Sequence, residues 1–403
     1  MVSIETMLGQ IFKKMSGTGK WTASFLTKFF CVLYAVRGRA NFENLSRYCG
    51  MDEKTLRRNY EKYFDWLKFN ALVFEQWGHT PGGAILACID CSFIPKSGKS
   101  TFGLDKFWSG VLQRTKAGLE ISVVALIDVS SASAWVLDVT QTPPGLGDKA
   151  TETRYNRVDF YLEQILDCLP YLMGVVYVVA DGFYAKQKII KVLVENNKHL
   201  ITKLRPDSNM LHAFEGEHPK GKRGPKPKFG DKAVFNDLSK WIAVGRDEKY
   251  AHLDIYSQVL WHPQFNCWLR VALVLNTKTQ QYILLACTNI YATAREILSY
   301  YQLRFQIEFL FRDAKQFTGL NHCQARDEQK LDFHFNASLA AVNIAKAQIR
   351  SNPQIKSMND LTRRAFNQNL LENLFSKLSL GPKFDIFHPA AQETLEFGMI
   401  HRA

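Results

Sequence analysis

The chain predicts an α/β fold whose mixed sheet is preceded by a helical domain and interrupted by a β-rich insertion. Three observations carry this expectation. Residues 1–80 read as helical throughout. From Ala84 the pattern changes to short apolar runs rich in β-branched residues, alternating later with helical stretches. A further group of apolar runs, from His252 to Thr288, precedes a last set of long helical patterns.

Within the helical domain, Asn41 to Cys49 reads as a helix, Gly50-Met51-Asp52 as a turn, and Glu53 to Phe64 as a second helix bearing Lys54, Arg57 and Arg58. Two helices joined by a short glycine-containing turn form the pattern of a helix-turn-helix, and the three cations suit docking on DNA. Ile85 to Ile94, Ile121 to Val129 and Ala134 to Val139 then read as three strands of an antiparallel meander. Arg154 to Cys168 reads as a helix, Val175 to Ala180 as a strand, Tyr184 to Glu195 as a helix and Leu200 to Leu204 as a strand. This order, βββαβαβ with a helix to follow, is that of an RNase H-like core. Pro219 to Gly230 alternates Gly and Pro with crowded positive charge, Lys222 and Arg223 among it, and reads as a basic arm for a phosphate backbone. His252 to Trp261, Phe265 to Leu275 and Tyr282 to Thr288 read as strands of the insertion. The expected organisation is a DNA-binding domain over 1–80, the first part of the core over 81–205, the arm and insertion over 206–289, the second part of the core over 290–350, and a helical region over 351–403.

Lys and Arg number 51 against 38 Asp and Glu, a formal net charge of +13, and the pI is near 9.2. Such an excess of one sign implies a polyanionic partner. Nucleic acid fits better than membrane: the most apolar N-terminal stretch, Trp21 to Val36, is interrupted by Lys28 and is shorter than the ~20 residues of a span. No secretory leader pattern opens the chain, so the cytoplasm is the expected compartment. Of the eight scattered cysteines, only Cys88 and Cys91 have metal-like spacing, and no second pair accompanies them, so they read as buried strand residues. Ser97-Gly98-Lys99-Ser100 lacks the earlier glycine of a phosphate loop, since that position is Phe93. Lys96, Lys99 and Lys106 read instead as basic residues near Asp90 suited to DNA.

The most informative segment is Tyr300 to Lys315. On a helix advancing ~100° per residue, Tyr301, Arg304, Glu308 and Lys315 fall at roughly 0°, 300°, 340° and 320°, one narrow polar stripe. Leu303, Ile307, Leu310, Ala314 and Phe317 form a second, apolar stripe suited to packing on a sheet. A carboxylate can hold a divalent metal, and Arg and Lys can hold phosphate oxygens. Two other carboxylates complete the chemistry. Asp90 lies inside the apolar strand Ile85 to Ile94, where an ionised group is costly unless a cation meets it. Asp181 ends Val175 to Ala180 and precedes Gly182, at the carboxyl end of a strand, where open α/β sheets place their sites. Three carboxylates suffice for a pair of Mg²⁺ ions, with Asp90 as the bridging ligand and Asp181 and Glu308 as outer ligands.

These motifs, in this order, resemble a DDE transposase of a bacterial insertion sequence, in the subgroup with a Tyr-x2-Arg-x3-Glu-x6-Lys signature, here Tyr301, Arg304, Glu308 and Lys315. Asp90 in its Cys-Ile-Asp-Cys-Ser strand, Ala180-Asp-Gly-Phe-Tyr184 and the insertion before the glutamate are similar to that family too. The resemblance implies that Asp90, Asp181 and Glu308 bind two Mg²⁺ ions, with Mn²⁺ as a substitute, for hydrolysis at the element's ends and attack of the 3′-hydroxyl on target DNA. It implies that Tyr301, Arg304 and Lys315 grip terminal phosphates, and that a homodimer assembles on the double-stranded DNA. In relatives that cut through a hairpin, an insertion tryptophan stacks on a flipped base, a role open to Trp261 or Trp268. A catalytically inactive DNA-binding relative and another RNase H-like nuclease are the alternative readings.

Overall fold

The computed structural model describes residues 3–147, 155–216, 225–379 and 388–401. Lys222 and Arg223, expected in the basic arm, lie outside the described residues. Five helices open the chain: α1 Ile4–Lys14, α2 Lys20–Ala35, α3 Phe42–Cys49, α4 Glu53–Asn59 and α5 Trp66–Val73. Asn41 and Asp52 cap α3 and α4, each accepting a backbone N–H three residues on. Between them Gly50 ends α3 at φ 64°, a left-handed conformation that a glycine adopts without steric cost. The expected pair of helices is present, but the second ends at Asn59 rather than running to Phe64.

Strands β1 Ile85–Ile94, β2 Asp105–Ser109, β3 Arg114–Asp128 and β4 Ser133–Gln141 follow. Then come α6 Arg157–Cys168, β5 Tyr177–Ala180, α7 Gln187–Glu195 and β6 His199–Leu204. In space the order is β4-β3-β1-β5-β6; β1 pairs antiparallel with β3 and parallel with β5, and β5 pairs parallel with β6. The mixed α/β arrangement is consistent with an RNase H-like DDE fold. The meander contains one strand more than expected: β2 folds back on the first residues of β3 as a hairpin, hidden in the sequence because the exposed Arg114 to Ala117 breaks the apolar run.

The sheet does not stop at β6. After β7 Leu211–Ala213, β8 Phe229–Lys232 and β9 Ile242–Arg246, strands β10 Leu253–His262, β11 Cys267–Asn276 and β12 Tyr282–Cys287 form an antiparallel set. β12 then pairs with β6, so these strands extend the same sheet. Helices α8 Ala294–Leu303, α9 Phe305–Phe317, α10 Glu328–Ser351, α11 Met358–Lys377 and α12 Pro389–Leu395 complete the chain. The single helix expected over residues 300–315 is two: the hydrogen-bond ladder tightens at Arg304, whose N–H bonds to Tyr301 O at 3.1 Å and whose carbonyl accepts from Ile307 N at 3.1 Å. Three-residue spacing there replaces the four-residue ladder.

One face of the sheet packs against α8 and α9; the other packs against α6, α7 and the N-terminal helices. α10 closes the edge at β4. An open edge strand presents unpaired backbone groups, and side chains meet them here: Asn343 donates to Val136 O and accepts from Val136 N, Asn336 donates to Val139 O, Lys346 to Ala134 O and Asn70 to Leu137 O. The same helix joins the N-terminal helices to the core. Tyr60 packs tilted against Phe333 with ring centroids 4.3 Å apart, and the Tyr34 hydroxyl donates to Ala341 O at 2.5 Å. Among the described residues, no helix is long and apolar enough to cross a membrane.

Candidate active site

Alternation along β1 directs Leu86, Cys88, Asp90, Ser92 and Ile94 to the α8/α9 face and Ala87, Ile89 and Cys91 to the other. Asp90 thus emerges beneath α9. Asp181 follows the last residue of β5, whose Ala180 pairs with Ile89, so Asp181 at the carboxyl end of β5 stands beside Asp90 in the middle of the adjacent parallel strand β1. One Asp181 oxygen caps the turn that follows, accepting Phe183 N at 2.9 Å, and Thr202 of β6 donates its hydroxyl to Asp181 O at 2.8 Å. A Cβ on Gly182 would lie 2.9 Å from Lys203 O, so only glycine lets this turn close against β6.

Ile307, Leu310 and Ala314 are fully buried against the sheet, as the apolar stripe predicts, and this seats Glu308 on the exposed side of α9. Arg304 links the helix to the strand. Its guanidinium donates to Asp90 Oδ2 and to Glu308 Oε1, each at 3.0 Å, and lies over the rings of Tyr301 and Phe305. Its side chain is only 12% exposed; the pair with Asp90 is the more shielded of the two, since Glu308 is 44% exposed. Burial raises the Asp90 carboxyl to about 6; Asp181 and Glu308 add to the rise, while Arg304 opposes it. Burial disfavours the Arg304 charge, yet Asp90 and Tyr301 outweigh it and raise the group above its ordinary value. Lys315 reaches down about two turns beyond Glu308 and donates to Ser92 Oγ at 2.8 Å, and burial lowers its ammonium.

The oxygen-only donor set of Asp90, Asp181 and Glu308 suits a hard divalent cation, and a buried carboxyl held near 6 is one that a cation would favour in its ionised form. Among the described residues, no three His, Cys, Asp or Glu side chains are already gathered to hold one ion. Arg304 supplies the positive charge between Asp90 and Glu308.

Other predicted residues fall around this centre at varying distance. Tyr301 is half-buried beside Arg304. Lys96 donates to Cys323 O at 2.5 Å, which ties the loop after β1 to the segment after α9, while Lys99 is exposed. Lys54 and Arg58 are exposed on α4; Arg57 pairs with Glu53, Nε to Oε1 at 3.1 Å, and covers the Phe42 ring. Trp261 and Trp268 face each other across β10 and β11 with centroids 5.5 Å apart, and Phe229 lies tilted against Trp261 at 4.8 Å. Alternation places both tryptophans on the sheet face of the carboxylates, but Trp268 is four and Trp261 five strand spacings from β1, roughly 20–25 Å. The fold does not bring them to the carboxylates.

Sequence reasoning missed the polar groups beneath the aspartates. The buried Tyr184 hydroxyl lies 3.3 Å from Cys91 Sγ, linking the turn after Asp181 to the residue after Asp90. The Tyr161 hydroxyl donates to the buried Glu120 at 2.6 Å nearby. The tyrosine in Asp181-Gly-Phe-Tyr184 was a visible signal, but its partner lies 93 residues earlier.

The model of the DDE superfamily endonucleases matches residues 38–266, more than half of the chain and a span containing Asp90 and Asp181. The chain belongs to the DDE superfamily of endonucleases. The match ends before α8 and α9, so Glu308, Arg304 and Lys315 of this DDE endonuclease stand on the geometry described above. No curated protein matches the chain.

Proposed function

We propose that this DDE endonuclease is the transposase of a bacterial insertion sequence, which binds the ends of its element, nicks them by phosphodiester hydrolysis and joins the 3′ ends to target DNA. The observation that carries the reading is the meeting of Asp90 on β1, Asp181 after β5 and the Tyr301, Arg304, Glu308, Lys315 series of α8 and α9 at one end of the sheet. Asp90, Asp181 and Glu308 would hold the metal. When bound, a pair of Mg²⁺ ions, or Mn²⁺ in their place, supplies activation of the attacking oxygen and stabilisation of the leaving one.

The protein's own part is positioning and charge. β1 and β5 fix the two aspartates side by side, and the apolar stripe of α9 fixes Glu308 above them. Arg304 compensates two of the three carboxylates, and its planar fork is suited to holding two oxygens of a phosphate. Lys315, anchored on Ser92, presents a second cation on the same side of α9. Tyr301 shelters the guanidinium from water. In this reading Lys54, Arg57 and Arg58 contact the element's end, Lys96 and Lys99 the DNA near the cleavage point, and Lys222 and Arg223 its backbone. Trp261 or Trp268 receives a displaced base some distance from the carboxylates, and two copies act together on paired ends.

The test uses the full chain and a duplex carrying the inverted repeat that flanks the coding region. The expected result is Mg²⁺-dependent nicking at the repeat's end and joining to a target plasmid, both lost in Glu308→Gln with binding retained. Wild-type nicking by Glu308→Gln would end this reading. Nicking without joining would instead favour a nuclease of the same superfamily.

A further inference from the structure

The β2–β3 hairpin has no role in the centre described above, yet it projects from the end of the sheet where that centre lies. Val123 pairs with Asp90 and Leu119 with Ile94, the last residue of β1; β3 then runs beyond it, backwards to Arg114, paired only with β2. From Val123 to Arg114 is nine residues, at ~3.3 Å each a reach of about 30 Å at most. The root is anchored: Phe107 is fully buried, Arg157 lies over its ring at 5.3 Å, and Gly145 N donates to Asp105 Oδ2 at 2.7 Å. The tip is braced by its own bonds, Gln113 Nε2 to Gly110 O at 2.6 Å and Leu112 N to Ser109 Oγ at 3.4 Å.

What the hairpin shows to solvent is basic and apolar at once. Lys106, Arg114 and Lys116 are exposed, and none forms an ion pair with a carboxylate among the described residues. Trp108 is 54% exposed, and the tip carries Val111 at 94% and Leu112 at 42%. Directly paired residues share a face, so Lys106 and Trp108 lie on one side of the ribbon and Arg114 and Lys116 on the other. A two-stranded ribbon fits the major groove of a duplex, where cations on its two sides would meet the two phosphate walls.

We propose that the β2–β3 hairpin is a DNA-gripping arm that enters a groove of the duplex beside the cleavage point. Lys106, Arg114 and Lys116 hold phosphates on both walls, and Trp108, Val111 and Leu112 lie against sugars and base edges. The proposal rests on the reading of the chain as a DNA-cleaving enzyme and adds a contact surface separate from the carboxylates.

The experiment compares the full-length wild type with a combined Lys106→Ala, Arg114→Ala, Lys116→Ala variant and a Val111→Ser, Leu112→Ser variant. Binding to a fluorescein-labelled mixed-sequence duplex of about 40 base pairs is measured by anisotropy across a salt series, with a melt of each protein. Three lost phosphate contacts should lower the slope of log K against log salt by about 2–3. The apolar variant should bind several-fold more weakly with the slope unchanged, since it removes no charge. An unchanged slope in the charge variant, with the protein folded, overturns the proposal; so does an unchanged slope accompanied by lost self-association in sedimentation, which would assign the arm to a second copy. Nicking is scored separately, on a duplex carrying the inverted repeat that flanks the coding region. A wild type that binds but never nicks, with a lowered slope in the charge variant, would sink the functional reading and leave the arm standing.

Discussion

The two halves of the one sheet differ in how they are covered, and that difference separates a buried carboxyl centre from a more open aromatic surface. In the core half, β3 is buried over eleven consecutive residues, Gly118 to Asp128, because helices cover both faces. In the inserted half, β10 buries only Ile255, Ser257, Leu260 and His262 of its ten residues. The doubly covered half can hold a carboxyl such as Asp90 away from water and raise it to about 6. The more open half leaves the Trp261, Trp268 and Phe229 rings partly accessible. A shared sheet therefore places a low-dielectric centre and an aromatic surface on one rigid body.

The comparison breaks first at the carboxylates. Asp90→Asn and Asp181→Asn should each lower Mg²⁺-dependent nicking by ~10²–10³-fold or more, the lower part of which is the range seen when one transition-state stabilising group is removed. Single-turnover rates on pre-bound DNA check this, and near-wild-type rates for either would move the centre elsewhere.

Next in size is Arg304. Arg304→Lys keeps the charge but loses the fork that spans Asp90 and Glu308, and nicking should fall about 100-fold, the cost of a misplacement near 1 Å. Lys315→Arg should be milder, because Lys315 makes one bond to Ser92 and acts as a point charge. Equal losses in both variants would dissolve the distinction drawn between them.

A stability measurement sharpens the contrast of burial. The folded Asp90 carboxyl, near 6, lies above its ordinary 3.8, so between those pH values the folded chain holds more protons than the unfolded one. This group's contribution to stability therefore falls as pH rises through that window and stays lowered above it. Asp90→Asn, whose amide oxygen can still accept from Arg304, should stabilise the metal-free chain by about 1–3 kcal/mol at pH 7 and by much less at pH 4. Chemical denaturation in chelator at both pH values decides; a destabilised variant at pH 7 would mean that the Arg304 pair outweighs the burial cost.

The smallest effect belongs to the open half. Trp261→Ala or Trp268→Ala should weaken DNA binding by about 1–3 kcal/mol if its ring stacks on a base, with little change in the nicking rate of pre-bound DNA. A nicking defect equal to that of Arg304→Lys would bring the aromatic pair into the catalytic centre despite the width of sheet between them.

Local pattern determined much of this protein. The run Ile85 to Ile94 is one strand with the bounds its apolar residues set, Gly50 ends a helix where the turn was expected, and the apolar stripe Ile307, Leu310, Ala314 is the buried side of α9. The three carboxylates were legible too, since each sits where backbone periodicity alone says an acid is costly or well placed. Only the tertiary structure decided their partners. Arg304 meets Asp90 across 214 residues and Lys315 meets Ser92 across 223, and neither separation leaves a periodic trace. The Cys91 and Tyr184 contact, the α10 side chains that close the β4 edge, and the pairing of β12 with β6 are hidden for the same reason. Periodicity records which way a side chain points from its own element; which group waits there is set by how distant elements pack.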